Sequence, residues 1–495
     1  MKINNNIKLL IVSISIFIAS CSDDYFDVNT PSDGADFENL ALKDLLEPII
    51  NYTLNAQYNT ASTFGVYSQH LASYNDGENT DNQYETTLST SWNYFYLYSG
   101  ANLIPFIEKA NESNSYHYEG IGKILLALNL GLATDAWGDI PYTGAFLAED
   151  NLSPEIDSQE FIYNEIQDLL DEGIEDLSKE DNGDLIPGAE DVVYGGDISK
   201  WIKAAYTLKA RYAIHLTKKD PVTAANNALT YLENGFSDNS DDFQIDYSIR
   251  VKNPWFANIV QARLSGNFSL LVSDQLVSLM NGTQYGYTNL EIDPRLPVYV
   301  DNGEEETYEG AVNGTGGLTV NDTSANTDLG PDNFYTGETS PVVIISYAEA
   351  LLIKAEAEFL LNGGNSTSVG TNSAAYESYL SAISANMEKL GVEATPASLY
   401  LTDSAVDVGE AGFKLEHLMK EKYIVLFLNP EGFTDLRRYD FSSEVFKGLE
   451  MPAAPNPENN GNWVRRAKYP SSEELANPNI AEIMEEVIVP VWWDE

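Results

Sequence analysis

Cysteine and histidine are scarce in this chain of 495 residues. Cys21 is the only cysteine, so internal disulfides are excluded as a source of stability. The four histidines are scattered along the chain without the spacing of a metal site. Hydrolase and nucleotide-binding patterns such as HExxH, GxSxG and Walker A are missing as well. We therefore expect a protein that is not an enzyme and holds no metal and no cofactor.

Basic residues are also few, with 27 Lys and Arg against 76 Asp and Glu and a net charge of −49. A body this acidic does not bind nucleic acid or an anionic lipid surface as its main activity, and it repels anionic polymers. Acids are so numerous that a glycosidase carboxylate pair cannot be recognised from the sequence. Because 43% of residues are hydrophobic, the acids are expected on the surface of a globular body.

The N-terminus has the pattern of an export signal. Two lysines precede an apolar stretch over 9–18, which is too short to cross a bilayer as a helix. Ile18-Ala-Ser-Cys21 then forms a lipobox, in which the thiol of Cys21 receives a diacylglycerol and the chain is cut before it. We predict a lipoprotein signal peptide over 1–20 and a lipidated tether over 21–36. The alternative is an ordinary signal peptide with a chance cysteine.

Most of the body has helical periodicity. Apolar residues recur at helical spacing in 158–178, 198–217, 345–361 and 373–390. Asp157 and Glu160 resemble a capping box, Asp220-Pro221 begins another helix, and Gly391 ends the last one. Pairs of such helices have roughly the 34-residue size of tetratricopeptide units. The sequence predicts an all-α fold of tetratricopeptide-like helix pairs.

Long irregular segments separate these helices and are rich in tyrosine. They cover 72–90, 236–250, 281–292, 300–341 and 450–470. Loops of this length in a compact protein usually carry function. Tyrosine offers both a flat apolar ring and a hydroxyl, which suits a polar, hydroxylated ligand. The loop-rich half is therefore predicted to bind the ligand, through Tyr74, Tyr84, Tyr285, Tyr287 and Tyr335.

Three groups of residues favour a structural role. In Trp137-Gly-Asp-Ile-Pro-Tyr142, Gly138 and Pro141 predict a sharp exit from a helix, with Asp139 bonding backbone amides. Asp293-Pro-Arg295 is expected to be a turn fixed by a local ion pair. Buried or capping ion pairs are expected for Arg211, Arg437 and Arg438.

Seven stretches together resemble the SusD/RagB family of nutrient-binding outer-membrane lipoproteins. They span essentially the whole mature chain in family order, and the set is specific although each one alone is weak. The GDIPY and YGGD stretches are most similar to the SusD-like subgroup. The stretches are ATDAWGDIPYTGAF over 133–146, YGGDISKWIK over 194–203 with LKARY over 208–212, NPWF over 253–256, DPRL over 293–296, SYAEALLIKAEA over 346–357, EGFTDLRRY over 431–439 and YPSSEELAN over 469–477.

The resemblance implies a single SusD-like domain over 37–495, with helical repeats and a loop-rich ligand-binding half. It implies lipid anchoring at the outer face of the outer membrane, consistent with Ser22-Asp23-Asp24 after the lipidated cysteine. Such proteins act as a lid on a SusC-like TonB-dependent transporter and hand it an oligosaccharide. Most members bind glycans, and a minority bind peptides.

The family's glycan platform includes the region of Trp92 and Asn93, so the resemblance makes both candidates for ligand binding. Trp255, in NPWF, suits either binding or packing. An aromatic ring stacks on the C–H face of a pyranose, while Asn bonds its hydroxyls. The complete candidate set is Trp92, Asn93, Tyr74, Tyr84, Trp255, Tyr285, Tyr287 and Tyr335.

We expect a cell-surface lipoprotein that captures oligosaccharides for a transporter. The negative charge favours a neutral glucan such as laminarin over alginate-like or sulfated polymers. The alternatives are peptide capture in the same architecture, a surface glycoside hydrolase, and a purely structural tetratricopeptide adaptor.

Overall fold

The computed structural model describes residues 37–75, 77–147, 151–181, 185–303, 305–316 and 327–495. The predicted signal peptide, Cys21 and the tether lie outside the described residues and stay predictions. Within the described part, none of the helices combines the length and apolar character needed to cross a bilayer.

Helices make up most of the described structure, and the predicted all-α, tetratricopeptide-like architecture is confirmed. One π-helix covers Tyr94–Gly100 and another covers Phe256–Val260. The α-helices are α1 Leu42–Tyr67, α2 Ser89–Asn93, α3 Ala101–Glu112, α4 Tyr116–Trp137, α5 Gln159–Leu177, α6 Ile198–His215, α7 Pro221–Leu232, α8 Gln261–Leu264, α9 Asp274–Met280, α10 Leu296–Tyr299, α11 Tyr347–Leu361, α12 Ser373–Lys389, α13 Ala394–Leu401, α14 Leu415–Val425, α15 Glu431–Arg438, α16 Ser471–Ala476 and α17 Pro478–Glu482.

The strands are short and tie loops together. β1, Leu71–Ser73, pairs antiparallel with β3, Leu270–Val272, and Leu71 lies opposite Val272. β2, Phe243–Ile245, pairs antiparallel with β4, Val342–Ile345. Each ribbon joins segments about 100 or 200 residues apart in sequence, so it fixes the position of distant loops.

Neighbouring helices pack as pairs, α4 on α5, α6 on α7 and α11 on α12, and α11 also packs on α7. Small residues allow the closest approaches. A Cβ on Gly120 of α4 would lie 2.8 Å from the carbonyl oxygen of Gly173 on α5. A Cβ on Gly131 would overlap the ring of Tyr212 on α6. Glycine at these positions therefore sets the spacing of α4 against both neighbours.

The helix ends agree with the sequence in two cases and differ in one. Asp220 caps α7 with Pro221 as its first residue, and Gly391 follows α12 with a φ of +68°. The predicted capping box of Asp157 is wrong, since Ser158 caps α5. Asp157 instead accepts hydrogen bonds from the backbone N–H groups of Tyr142 and Thr143, 2.9 and 2.8 Å away.

Two buried glutamates of α11 organise an ion-pair network between helices. Glu349 accepts two hydrogen bonds of 2.7 Å from Arg211 of α6. One heptad later, Glu356 pairs with Arg438 of α15 and lies 3.0 Å from Lys422 Nζ of α14. Although burial opposes ionisation, Arg438 and Lys422 lower the pKa of Glu356 to about 2. The predicted ion pairs of Arg211 and Arg438 are thus present.

Arg437 departs from this pattern. Its guanidinium donates to the carbonyl oxygens of Asp135 and Arg465, 2.7 and 2.9 Å away, rather than to a carboxylate. It lies between the rings of Phe433 and Trp493, 4.5 and 4.7 Å from their centroids. Burial lowers the pKa of Arg437. The expected ion pair is replaced by carbonyl hydrogen bonds and cation–π contacts.

His215, at the end of α6, joins α4 to α15. Its Nε2 lies 2.9 Å from Glu431 Oε2, and its Nδ1 lies 2.9 Å from the Tyr163 hydroxyl and 3.5 Å from Asp135 Oδ2. Burial disfavours the imidazolium, but Glu431 and Asp135 outweigh it and raise the pKa of His215 to about 9. His215 is therefore protonated at neutral pH and is the cation of a buried pair.

The turn predicted at Asp293-Pro-Arg295 is held by a second buried cluster. Arg295 Nη2 lies 2.7 Å from Asp293 and 2.6 Å from Glu421 of α14. The same atom donates to the Tyr400 hydroxyl at 3.0 Å. The local pair is present, and Glu421 extends it to the helical core.

Glu356→Gln is expected to lower the free energy of unfolding by about 3–5 kcal/mol, because it leaves Arg438 and Lys422 buried without their shared counter-charge. Urea unfolding at pH 7 measures this change. The control is Glu377→Gln, an exposed change on α12 that should cost under about 1 kcal/mol. Equal losses in the two variants would show that the buried network does not stabilise the fold.

The raised pKa of His215 also predicts a pH dependence. The stabilisation is complete below the unfolded pKa of 6.5 and is lost as the pH rises through the folded pKa of about 9. Between pH 6 and pH 10, the native protein should lose roughly 3 kcal/mol more unfolding free energy than His215→Gln. Urea titrations of both proteins across this range measure the difference, and parallel pH curves would contradict the buried imidazolium.

Candidate functional site

The loop over 74–85 is anchored by the buried carboxylate of Asp81. Asp81 Oδ1 accepts from Asn313 Nδ2 and Oδ2 accepts from the Gly314 backbone N–H, both at 2.6 Å. Asn313 Nδ2 also donates to the Leu71 carbonyl oxygen, 2.9 Å away. Gly314 has a φ of +82°, and a Cβ there would lie 2.5 Å from Asn82 Oδ1. Burial raises the pKa of Asp81, while its hydrogen bonds act in the opposite direction.

A further segment of the chain, near residue 456, is hydrogen-bonded to the two residues that follow Asp81. The Asn456 backbone N–H donates to the Asn82 carbonyl oxygen at 2.7 Å. Asn459 Nδ2 donates to the Gln83 carbonyl oxygen at 2.7 Å. We call Asp81, Asn82 and Gln83 the loop junction, because segments near 313 and 456 both attach there.

A pair of aromatic rings lies at the surface, at the end of the β1–β3 ribbon and close in sequence to the loop junction. The Tyr74 N–H donates to the Ser269 carbonyl oxygen at 2.9 Å, which extends the ribbon beyond β1. The rings of Tyr74 and Phe268 are stacked, with centroids 5.0 Å apart and an interplanar angle of 23°. Tyr74 is half-buried over Ala72 and Leu271, and Phe268 is 38% exposed.

Other exposed apolar and amide side chains accompany this pair. Leu264 belongs to α8, shortly before Phe268, and Val312 lies beside Asn313. Exposed amides occur in the same two loops, at Asn75 and Asn267. We call the stacked pair of Tyr74 and Phe268 the loop platform.

A cleft of about 650 Å³ lies along the 78–85 part of the same loop. Tyr84, Asn456 and Asn459 line it together with Val487 and Ile488. Four carboxylates and one lysine complete the lining, and Lys468 Nζ is 2.9 Å from Glu85 Oε1. We call this the acidic cleft, and its further carboxylates are Glu78, Glu458 and Glu486.

Four of the predicted aromatic residues are buried, namely Trp92, Trp255, Tyr285 and Tyr335. Trp92 is 3% exposed and packs edge-on against Trp137, with centroids 5.0 Å apart. Trp255 packs in the same way on Tyr58 at 4.9 Å. The ring of Tyr335 is likewise enclosed by core aromatics. Their rings offer no open face to a ligand in this conformation, because the helical core already covers them.

Tyr285 and Tyr287 surround a lysine of the protein itself. Lys420 Nζ lies 4.7 Å from the Tyr285 centroid and 5.3 Å from that of Tyr287. Tyr400 completes the group, and its hydroxyl accepts from Lys420 Nζ at 2.9 Å. Lys447 lies 4.3 Å from the centroid of Tyr285. These rings therefore contact the buried Lys420 and the exposed Lys447 in place of forming an open platform.

The remaining candidates are accessible at different places. Tyr74 belongs to the loop platform, Tyr84 lines the acidic cleft, and Asn93 is exposed at the end of α2. Sequence reasoning missed Phe268. Its only sequence signal was an aromatic residue in the polar run Ser265-Gly-Asn-Phe-Ser269, which precedes a strand.

One buried group within the described residues has the donor atoms of a metal site. Asp135, His215 and Glu431 bring ligand atoms within 4.8 Å of one another. Tyr163 and Trp493 both donate to Asp135 Oδ1, and His215 Nε2 lies 2.9 Å from Glu431 Oε2, so these atoms already have partners within the protein. The donor set thus fits an ion pair rather than a metal.

Solved structures resemble this fold closely. A SusD/RagB family protein from Bacteroides thetaiotaomicron is 23% identical with a TM-score of 0.73, covering 92% of this chain and 99% of its own. A chitin-binding protein is 22% identical with a TM-score of 0.74, covering 92% and 100%. A chitin-binding SusD homologue from Flavobacterium johnsoniae is 20% identical with a TM-score of 0.71, covering 92% and 98%. At these identities the likeness establishes the fold.

No curated protein sequence matches this chain. A family profile, described as starch-binding associating with outer membrane, matches residues 35–470. That description names starch binding and association with the outer membrane. Because the match spans most of the sequence, this protein belongs to the SusD-like family.

Proposed function

We propose that this protein captures neutral oligosaccharides at the cell surface and delivers them to a TonB-dependent transporter. The observation that carries the proposal is the stacked Tyr74–Phe268 pair, which the β1–β3 ribbon holds in place and whose Tyr74 adjoins the loop anchored at Asp81. An open aromatic surface held in place before binding loses little conformational entropy when a sugar ring stacks on it. The family description and the chitin-binding fold relatives support a glycan as the ligand.

Charge supports a neutral ligand. Four carboxylates against one paired lysine in the acidic cleft repel uronic acid and sulfate groups, and the whole chain carries −49. Asparagine amides beside the platform and in the cleft suit hydroxyl groups as partners. A neutral glucan such as laminarin fits these features and is our proposed ligand.

Location and partner follow from the N-terminal pattern and the family. Acyl chains on Cys21 would anchor the protein at the outer membrane, and the tether over 21–36 would join them to the body. We propose that the body acts as a lid on a SusC-like transporter and releases its glycan into the barrel. Co-purification of the full-length lipoprotein with an outer-membrane transporter would support this arrangement.

Tyr74→Ala and Phe268→Ala should each weaken glycan binding at least tenfold, because each removes one ring of the stacked pair. Isothermal titration calorimetry with soluble protein beginning at Ser22 measures the affinity. The panel contains laminarin, mannan, xylan, alginate and a peptide digest. Tyr206→Ala, a half-buried tyrosine on α6, is the matched control and should bind like the native protein.

Binding of one neutral glycan that both loop variants lose would support the proposal. If the protein binds peptides alone, its function is peptide capture with the same architecture. Binding of alginate would contradict the charge argument, and release of reducing ends would reveal a hydrolase.

Asp81→Asn should weaken glycan binding about tenfold without touching the ligand, because the Gly314 N–H loses its charged acceptor and the loops lose their common anchor. Calorimetry and thermal unfolding together test this positioning role. Asp220→Asn is the control, since Asp220 also accepts backbone N–H groups but caps α7. The glycan affinity of Asp220→Asn should be unchanged. An unchanged affinity in Asp81→Asn would contradict the anchoring role of Asp81.

A further inference from the structure

Phe268 of the loop platform belongs to a short segment that lies at the protein surface. The chain leaves the core at Val260, which is fully buried, and returns to the interior at Leu271. Between these two residues, Leu264 is 66% exposed and residues 265–269 are all exposed. We call residues 261–269 the exposed arm.

A hydrogen-bonded turn joins α8 to Phe268 within the exposed arm. The Gly266 N–H donates to the Arg263 carbonyl oxygen at 2.8 Å, and the Asn267 N–H donates to the Ala262 carbonyl oxygen at 3.0 Å. Gly266 has a φ of +83°, which glycine adopts without steric cost. The turn that directs the chain towards Phe268 is therefore built on the backbone of Ala262 and Arg263.

The side chain of Arg263 links the exposed arm to a distant loop. Its Nη2 lies 2.7 Å from Asp328 Oδ2, and its Nη1 donates to the Leu329 carbonyl oxygen at 3.3 Å. Within the described part of the chain, no other side chain of 261–267 forms a hydrogen bond or ion pair outside the arm. Residues 247–273 contain three basic residues and no Asp or Glu, so the counter-charge of Arg263 comes from elsewhere in the sequence.

Asp328 is fixed in its own loop by its backbone. Its N–H and carbonyl groups exchange two hydrogen bonds of 2.8 Å with those of Asp301, and the next residue, Leu329, is buried. The Asp328 side chain is only 14% exposed, and its Oδ1 is enclosed without a hydrogen-bond partner among the described residues. Arg263 is therefore the cation that balances this nearly buried carboxylate.

The charge of Asp328 changes close to neutral pH. Burial raises the pKa of Asp328 to about 7, with a smaller contribution in the same direction from Asp301, while Arg263 acts to lower it. Arg263 and Asp301 are thus the charged groups that face this carboxyl. The other titratable groups of the adjoining loop are Tyr308, Glu309 and Asp332.

We propose that Arg263 and Asp328 are positioning residues for glycan binding, and that protonation of Asp328 releases the exposed arm. While the carboxylate is ionised, the arm is held at one end by the β1–β3 ribbon and at the other by the ion pair. After protonation the charge attraction is lost, so a sugar that stacks on Phe268 must also order the arm, at a cost in conformational entropy. The inference rests on the proposed glycan site at the loop platform and adds a control of its affinity.

Linkage gives the direction of the pH effect. Below pH 7 the free protein carries a proton on Asp328, and a glycan that needs the ion pair must displace this proton. The glycan affinity of the native protein should therefore fall about fivefold between pH 8.5 and pH 5.5, with most of the change near pH 7. Binding at pH 7 should release up to about half a proton per glycan.

Isothermal titration calorimetry measures both quantities, with the glycan that the native protein binds best and two buffers of different ionisation enthalpy. Asp328→Asn and Arg263→Gln should each weaken binding about fivefold at pH 8.5, because the arm is no longer held by an ion pair. Both variants should have a flat affinity profile from pH 5.5 to pH 8.5 and release no proton. Arg263→Lys keeps the positive charge and should keep the pH dependence.

Two matched controls change exposed charges of the same sign. Asp332→Asn alters an exposed aspartate four residues after Asp328, and Arg250→Gln alters an exposed arginine before the arm. Both should follow the native pH profile. If Asp328→Asn fails to fold, Arg263→Gln replaces it, and the pH profile and proton release of the native protein still test the proposal.

Hydrogen exchange tests the arm without a ligand. At pH 8 the N–H groups of Gly266 and Asn267 should exchange at least about threefold faster in Asp328→Asn than in the native protein or in Asp332→Asn. Equal exchange rates in the three proteins would overturn the positioning role.

A flat affinity profile in the native protein would also overturn it, as would a profile in Asp328→Asn that equals the native one. Equal losses of affinity in Asp332→Asn and Asp328→Asn would show a general effect of charge and overturn it as well. Each of these results leaves the proposed glycan capture intact. If the native protein binds no glycan of the panel at any pH, the proposed function itself fails, and the inference fails with it.

Discussion

The buried pairing of acids and bases across α6, α11, α14 and α15 is the constraint on which the rest of the structure depends. Glu349 and Glu356 lie one heptad apart on α11, and each meets a cation from another helix. A buried charge without a partner costs several kcal/mol, so these helices must adopt one relative position. The ion pairs thereby specify the packing of helices whose small apolar faces would tolerate other registers.

Because the helices have one relative position, the irregular loops attached to them are also held in one position. α1 ends directly before β1, and β1 pairs with β3, so the Tyr74–Phe268 pair is attached to the helical core through one short ribbon. Asp81 then binds the backbone and side chain of a segment more than 200 residues away. The same device, a buried charge satisfied by several donors, positions both the scaffold and the loops.

Charge is unevenly distributed over the surface of this protein. The acidic cleft concentrates carboxylates beside Tyr84, whereas the stretch over 247–273, which includes Phe268, contains no Asp or Glu. Strong net charge keeps a surface protein soluble and repels anionic polymers, but it contributes little to the recognition of a neutral sugar.

The sequence alone determined the helical architecture, the caps at Asp220 and Gly391, and the family, because these follow from periodicity and local motifs. It could not determine which aromatic rings are open. Trp92 is covered by Trp137, and Tyr285 is packed against Lys420. Exposure depends on contacts between residues far apart in sequence, and composition does not encode them. Only the tertiary structure therefore placed Phe268 against Tyr74 and Arg263 against Asp328.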